Sequence, residues 1–265
     1  VASAVAVAEV AYVSRRGAAF GGVALALGVR RRGLLPAMVL PLVSTNLLYL
    51  GPLAGACVGS LGEITSEARR RKILFGEAVR RWARRVARDR LQALRYGPTS
   101  AYLRNLVVGP VSEEVVFRAC VVPLLLEAKF SIKFAVLASP LVFGLAHVHH
   151  FHRRLQERVP FAAALAATAL QLAYTTLFGA FAALVFVRTS HVAACTVCHI
   201  YCNHMGLPDL DFLHDPGPHS DRDRAKYQCR RLILAMHPLG ILLFATALFP
   251  LTDPALYDSY FWPPS

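Results

Sequence analysis

The sequence is poor in charged residues. Asp, Glu, Lys and Arg make up 17% of its 265 residues, whereas hydrophobic residues make up 55%. So apolar a composition excludes an ordinary soluble domain. Apolar runs of about 20 residues, the length that crosses the core of a bilayer, recur between Arg-rich connections. The sequence therefore predicts a membrane protein with several spans.

Acidic residues are also scarce, with 16 Asp and Glu against 29 Lys and Arg, so the formal net charge is +13. In a soluble protein this excess would indicate nucleic acid as a partner. Eleven of the basic residues, however, fall between Arg69 and Arg95, between two apolar blocks. Such clustering is typical of cytoplasmic connections and favours anionic lipid. The predicted partner is membrane lipid, with no nucleic acid.

The six cysteines form no recognisable disulfide or zinc framework. Most lie in apolar segments, where a free Cys behaves as a small hydrophobic residue, and Cys195 and Cys198 have no second CxxC pair at zinc-ribbon spacing. The sequence also lacks HExxH, a GxGD aspartate pair and a GxSG-type serine in its apolar runs. These absences disfavour the usual zinc, aspartyl and serine intramembrane proteases.

We predict an all-α, polytopic membrane protein: a single domain over residues 1–265, with about seven to eight helices around an intramembrane polar cavity. The run Leu34 to Val58 predicts one span, while Val1 to Ser14 and Gly17 to Val29 are each about half a span. Residues 60–100 predict a basic helix on the cytosolic surface or in the membrane interface, with a solvated charged helix as the alternative. Further apolar helices are expected at Leu103 to Leu126, Ile132 to Val148, Phe161 to Val187, Val192 to Met205 and Leu232 to Leu251.

Three ionisable residues lie together inside one of these apolar runs. Each ionised residue at the centre of a span costs about 2.5 to 3.5 kcal/mol on insertion, so the cluster indicates a functional site. Glu114 and Arg118 are four residues apart and share a helix face, where they neutralise each other. Glu113 points about 100° away and lacks that partner, which suits it to general-base work. The alternative, a purely architectural clamp of Glu114 and Arg118, leaves Glu113 unexplained.

A second polar position is His147, which follows Phe143 at the end of another apolar run. Three further histidines come directly after it, and imidazoles at helical spacing ligate zinc, so a metal site is one hypothesis. The alternative is that these side chains lie at the polar boundary of the membrane beside two arginines. The three histidines are His149, His150 and His152.

A third polar position combines His199 and Asn203, one helical turn apart in an apolar run. Two neutral donors on one helix face suit an oxyanion hole, where they stabilise the charge that develops in a tetrahedral transition state. The alternative is a hydrogen bond made only for packing. Together with Glu113, these donors indicate attack of water on an amide.

The three motifs, in their order along the chain, resemble those of the type II CAAX endopeptidases of the ABI family of intramembrane glutamate proteases, in their eukaryotic branch. EExxxR begins at Glu113, FxxxH at Phe143 and HxxxN at His199, and the resemblance covers about residues 30–258. It implies that Glu113 and His147 activate the attacking water and that His199 and Asn203 stabilise the oxyanion. It further implies no metal or cofactor and supporting roles for Glu114, Arg118 and Phe143.

The resemblance also implies a substrate and a location. The expected activity is removal of the last three residues from farnesylated or geranylgeranylated CAAX proteins, in the endoplasmic reticulum membrane, at a site that opens to the cytosol. Two alternatives stay open. One is a zinc-dependent membrane hydrolase that uses His147, His149 and His152 with Glu113, and the other is a non-catalytic membrane scaffold.

Overall fold

The computed structural model describes residues 22–96, 99–145, 148–217 and 220–262. These described residues are 82% helical and contain no strand. By length and composition, three helical stretches among them could cross a membrane: Ile132–Gln156, Phe161–Thr189 and Arg230–Leu251. A bent pair of helices over residues 34–71 could form a fourth span. The prediction of an all-α, polytopic membrane protein is confirmed, and the half-span expected at Val1 to Ser14 lies outside the described residues.

The helices are numbered here in chain order. The first half of the chain holds α1 (Val23–Ala26), α2 (Leu34–Leu48), α3 (Leu50–Arg71), α4 (Phe75–Tyr96), α5 (Thr99–Leu103), α6 (Gly109–Glu114) and α7 (Val121–Glu127). Two π-helical turns, π1 (Arg104–Val108) and π2 (Val115–Cys120), join α5 to α6 and α6 to α7. The second half holds α8 (Ile132–Leu145), α9 (His149–Gln156), α10 (Phe161–Thr189), α11 (Val192–Met205), a 3₁₀ turn (Asp211–Leu213), α12 (Asp221–Gln228), α13 (Arg230–Leu251) and α14 (Pro254–Tyr257).

The expected single span from Leu34 to Val58 is broken. Helices α2 and α3 meet at an angle of 71° with Tyr49 between them, and α3 continues to Arg71. Pro52 explains the break, because it has no N–H for the carbonyl of Leu48 and its ring crowds that carbonyl. The bent pair could still cross the membrane as one broken span, so the span predicted over Leu34 to Val58 stays a prediction.

The basic segment over residues 60–100 is likewise two helices. Lys72 ends α3 in the left-handed conformation with φ 51°, and α4 then packs against α3. Val79, Trp82 and Val86 are half-buried, so this part of the apolar face is used inside the protein. The predicted location of the segment at the membrane interface stays a prediction.

Contacts divide the described chain into two compact units, and each is considered by itself. The first unit takes in residues 22–42, 107–201 and 250–262, and the second takes in 43–106 and 202–249. The expectation of a single domain stays a prediction.

In the first unit, α8 packs along α10. Glycines allow this close approach: a Cβ atom on Gly179 would lie 2.9 Å from Cβ of Pro140, and one on Gly144 would lie 2.8 Å from Cδ1 of Leu172. Small residues at such positions are typical of helix packing in membranes. The core around this contact consists mainly of Ala37, Val122, Ala135, Ala182, Ala183, Val185, Phe186, Val187, Ala194, Cys195, Tyr257 and Phe261.

The second unit is organised by a row of glycines on α3. Gly51, Gly55 and Gly59 follow one another at four-residue intervals and are buried. Gly51 faces the ring of His237 and Gly59 faces the stem of Arg222, so α3 runs antiparallel to α12 and α13. The polar end of α3 therefore lies beside the polar helix α12.

Candidate functional site

The first motif lies in a helix whose regular winding is interrupted. Helix α6 ends at Glu114, and π2, which carries Arg118, follows directly. Single π turns inside α-helices occur frequently at functional sites. In this region the backbone places Glu113 and Glu114 on different sides of the helix, as their adjacent sequence positions require.

Glu114 lies at the centre of a buried charge cluster in the first unit. Its Oε1 atom accepts a hydrogen bond from Nη1 of Arg118 at 3.0 Å and lies 2.7 Å from Nδ1 of His199. Relative exposure is 0% for the Glu114 side chain, 1% for that of Arg118 and 7% for that of His199. The structure thus brings Glu114 and Arg118 together as the sequence predicts, and it adds His199 to the pair.

Glu113 differs from its neighbour in exposure. Its side chain is 35% exposed, and its Oε2 atom lies 3.7 Å from Nε2 of His199. The imidazole of His199 therefore has one carboxylate at each ring nitrogen. Since a carboxylate only accepts, the 2.7 Å contact with Glu114 requires the proton on Nδ1. Nε2 is thereby left to face Glu113.

Aromatic rings enclose the cluster. The guanidinium carbon of Arg118 lies 4.7 Å from the ring centroid of Phe143 and 5.6 Å from that of Phe178. The ring of Phe178 is also 4.6 Å from that of His199. Cation–π contacts of this kind are strongest where water is excluded. Phe143 contacts the predicted pair through Arg118, and its supporting role stays a prediction. Phe178 was missed because nothing distinguishes it from its apolar neighbours in α10.

His147 lies outside the described residues, so its expected part in water activation stays a prediction. The histidines after it lie on α9, where the rings of His149 and His150 are 4.0 Å apart and His152 contacts the side chain of Gln156 at 2.9 Å. Among the described residues, no three His, Cys, Asp or Glu side chains are grouped so that they could hold a metal ion. The zinc hypothesis requires His147 and stays open.

Asn203 belongs to the second unit and is considered there. Its side chain is exposed, and Nδ2 donates a hydrogen bond to the carbonyl oxygen of Asn105 at 3.3 Å. Its expected role as an oxyanion donor stays a prediction. Asn105 was missed because it contributes its main-chain carbonyl, a group that almost any residue could supply, so its side chain gave no signal.

Comparison with known proteins supports the motif assignment. Residues 96–205 match the family described as type II CAAX prenyl endopeptidase Rce1-like. The chain is 36% identical over 235 residues to CAAX prenyl protease 2 of Homo sapiens. This match covers 88% of this chain and 63% of the human protein. It is 40% identical over 156 residues to CAAX prenyl protease 2 of Arabidopsis thaliana, covering 58% and 45% of the two chains.

A third relative, CAAX prenyl protease 2 of Rattus norvegicus, is 32% identical over 234 residues, with 88% of this chain and 60% of the rat protein covered. The chain thus spans less than two thirds of the length of these relatives. No solved structure matches it. The matches confirm the resemblance to type II CAAX endopeptidases that the three motifs predict.

Proposed function

Since the chain belongs to the Rce1-like type II CAAX prenyl endopeptidase family, we propose that it removes the C-terminal tripeptide from prenylated CAAX proteins. One observation carries this proposal. A half-exposed carboxylate, Glu113, lies beside an imidazole, His199, that a second, buried carboxylate holds in place. Charged groups this deep in an apolar helix are costly, and the cost is accounted for by chemistry performed there.

Glu113 is the proposed general base. It accepts a proton from a water molecule, whose oxygen attacks the carbonyl carbon of the peptide bond after the prenylated Cys. The C–N bond then breaks, and Glu113 returns the proton to the leaving amine, so protons and bonds balance. His147 would share in holding the water, a role that rests on the family motif alone.

His199 is the proposed electrostatic stabiliser of the oxyanion. Because Nδ1 donates to Glu114, Nε2 can donate as well only when the ring is doubly protonated. The buried Glu114 compensates that charge. With Glu113 ionised, the formal charges of Glu113, Glu114, Arg118 and His199 then sum to zero. Asn203 would provide a second donor, as fixed donors aimed at the developing charge are effective in sites that exclude water.

Substrate and location are further parts of the proposal. The farnesyl or geranylgeranyl chain would lie among apolar helices while the peptide enters from the polar side, and burial of the chain would help to position the scissile amide. The basic residues between Arg69 and Arg95 favour a cytosolic location for that side. The membrane would be that of the endoplasmic reticulum.

The test compares farnesylated and unprenylated versions of one CAAX peptide, with the full chain reconstituted in vesicles. Mass spectrometry should detect the intact tripeptide, and its release should require the prenyl group. Absence of release from both peptides, or cleavage at another bond, would refute the proposal. Metal analysis of the active protein distinguishes the proposed mechanism from the zinc alternative. The zinc alternative requires one zinc per chain and loss of turnover when the zinc is removed.

A further inference from the structure

Helix α4 carries two sets of arginines that differ in their partners. Arg81 forms an ion pair with Glu77 at 2.7 Å, and Arg85 contacts Glu63 and Glu67 at 3.3 and 3.5 Å. A second set, Arg80, Arg84 and Arg88, is exposed and has no ion pair or hydrogen bond in the described part of the chain. We call this second set the arginine ladder.

The arginine ladder has a regular geometry. Its members are four residues apart, so they follow one another along one face of α4. The opposite face is occupied, because Ala78 is buried and Nε1 of Trp82 donates to Glu63 of α3 at 3.1 Å. Packing against α3 thus fixes the helix and turns the ladder outward.

The ladder borders a groove of about 490 Å³ in the second unit. Six arginines and two glutamates line it: Arg71, Arg80, Arg81, Arg84, Arg85, Arg88, Glu67 and Glu77. Carboxylates of the protein therefore neutralise only part of the positive charge. A groove of this composition fits an anionic ligand rather than a neutral or cationic one.

The position of the groove indicates where that anion comes from. Helix α13 could cross a membrane. It begins at Arg230, just after the end of α12, and α12 packs on the polar half of α3. The groove at the end of α3 thus lies on the side where this apolar helix begins. Leu74 and Leu91, which precede and follow the ladder in the sequence, are 82% and 66% exposed. Exposed leucines beside unpaired arginines are typical of a helix surface that contacts lipid headgroups.

We propose that the arginine ladder binds the phosphate and carboxylate groups of anionic phospholipids at the membrane surface. Arginine suits this ligand because its planar guanidinium matches phosphate and carboxylate oxygens and is less strongly hydrated than an ammonium. The binding site is separate from the proposed peptidase chemistry and does not depend on it.

The test is the association constant for phosphatidylserine, measured by native mass spectrometry on the full chain in detergent, with phosphatidylcholine as the reference lipid. Arg84→Gln should weaken phosphatidylserine binding about fivefold, the effect of one arginine near an anionic surface. The matched control is Arg153→Gln, which removes the same charge from an exposed ion pair with Glu157 that does not line the groove, so it should change binding far less than Arg84→Gln. Phosphatidylcholine binding should be the same in all three proteins.

Two further variants make the result decisive. Replacing the whole ladder by Gln should remove the preference for phosphatidylserine, whereas replacing it by Lys should retain most of it, since the charge is kept. Equal effects of Arg84→Gln and Arg153→Gln would overturn the proposal, as would a wild-type chain without preference for phosphatidylserine. Binding of an oligoglutamate peptide that depends on the ladder, without such a lipid preference, would assign the site to an acidic protein segment instead.

Discussion

Two ion pairs with the same chemistry and spacing lie in very different surroundings. Glu114 and Arg118 in the first unit are four residues apart and joined at 3.0 Å, with side chains that are 0% and 1% exposed. Glu77 and Arg81 in the second unit have the same spacing and a distance of 2.7 Å, but their side chains are 40% and 44% exposed. The difference in burial decides what each pair contributes.

An exposed pair of this kind stabilises a helix by about 0.3 to 0.5 kcal/mol. A buried pair contributes little net stability, because desolvation of both charges offsets their attraction. The buried pair therefore needs another explanation, and its second contact supplies one. Glu114 contacts the imidazole of His199 at 2.7 Å, and we propose that the pair orients this ring. The exposed pair of Glu77 and Arg81 holds no comparable third side chain among the described residues.

The largest effect is expected at Glu113. Glu113→Gln keeps the size of the side chain but cannot accept the proton of water, so tripeptide release should fall about 10³-fold, within the range for loss of a general base. The measurement is release from a farnesylated peptide. Glu157→Gln, which alters an exposed carboxylate just after the end of α9 that is paired with Arg153, should leave turnover unchanged.

Two outcomes of the Glu113→Gln experiment would contradict this prediction. Retained turnover in Glu113→Gln would remove the base from the proposed mechanism. Loss of folding, rather than of turnover alone, would support the scaffold hypothesis.

The next largest effect is a difference in unfolding free energy between variants of the two ion pairs. Arg118→Leu leaves the buried carboxylate of Glu114 without its cation and should lower the free energy of unfolding by about 3 to 5 kcal/mol. Arg81→Leu in the exposed pair should cost less than about 1 kcal/mol. Unfolding in mixed detergent micelles measures both, and similar losses would show that burial does not distinguish the pairs.

A second substitution separates charge from packing in the buried pair. Glu114→Gln in the Arg118→Leu background removes the unpaired charge, so part of the stability should return. Tripeptide release should stay low, because His199 then lacks the carboxylate that holds its Nδ1 proton. A recovery of both stability and turnover would exclude a positioning role for Glu114.

The sequence allows the buried pair to be predicted more fully than the exposed segment. Charged residues within an apolar run are rare and costly, so the pairing of Glu114 with Arg118 follows from four-residue spacing alone. The contact with His199 joins residues 85 positions apart, and its distance and the shared carboxylate atom do not follow from any local pattern. Phe178 has no local signal, because an aromatic residue among apolar neighbours is equally compatible with lipid contact and with a site.

The basic segment shows why the rest could not be predicted. Composition indicates an amphipathic helix, but Trp82 has a partner on α3, and only the packed structure shows that part of the apolar face is covered. The break at Tyr49 is similar. Prolines are tolerated within membrane helices, and α2 contains Pro41 without a break, so the presence of Pro52 alone does not predict where the helix breaks.

A smaller effect concerns packing, where the two units again differ. Gly179 in the first unit has no room for a side chain, since a Cβ atom would lie 2.9 Å and 3.1 Å from atoms of the rigid Pro140. Gly179→Ala should therefore cost about 1 to 3 kcal/mol of unfolding free energy. Gly76 on exposed α4 has nothing within 4 Å of such an atom, so Gly76→Ala should be neutral or stabilise by up to about 1 kcal/mol. A destabilised Gly76→Ala would contradict the open space beside this glycine.

The smallest effect depends on pH and concerns a carboxylate in the second unit. The Ser220 side chain accepts a hydrogen bond from the backbone N–H of Asp223 at the start of α12, and its hydroxyl is the main cause that lowers the pKa of the Asp223 carboxyl. A lowered folded-state pKa adds stability that is fully present above the unfolded value of about 3.9 and is lost as pH falls through the folded value. Ser220→Ala should cost about 1 kcal/mol at neutral pH through loss of the cap, and less in acid.

The unfolding free energies of Ser220→Ala and the wild type are measured at neutral pH and again below the folded pKa of Asp223. The quantity compared is the difference between the two proteins at each pH, because the contributions of the other carboxylates cancel in that difference. The difference should shrink in acid because protonation of Asp223 removes the charged form that the Ser220 hydroxyl favours. A constant difference would mean that Ser220 acts only on the backbone N–H.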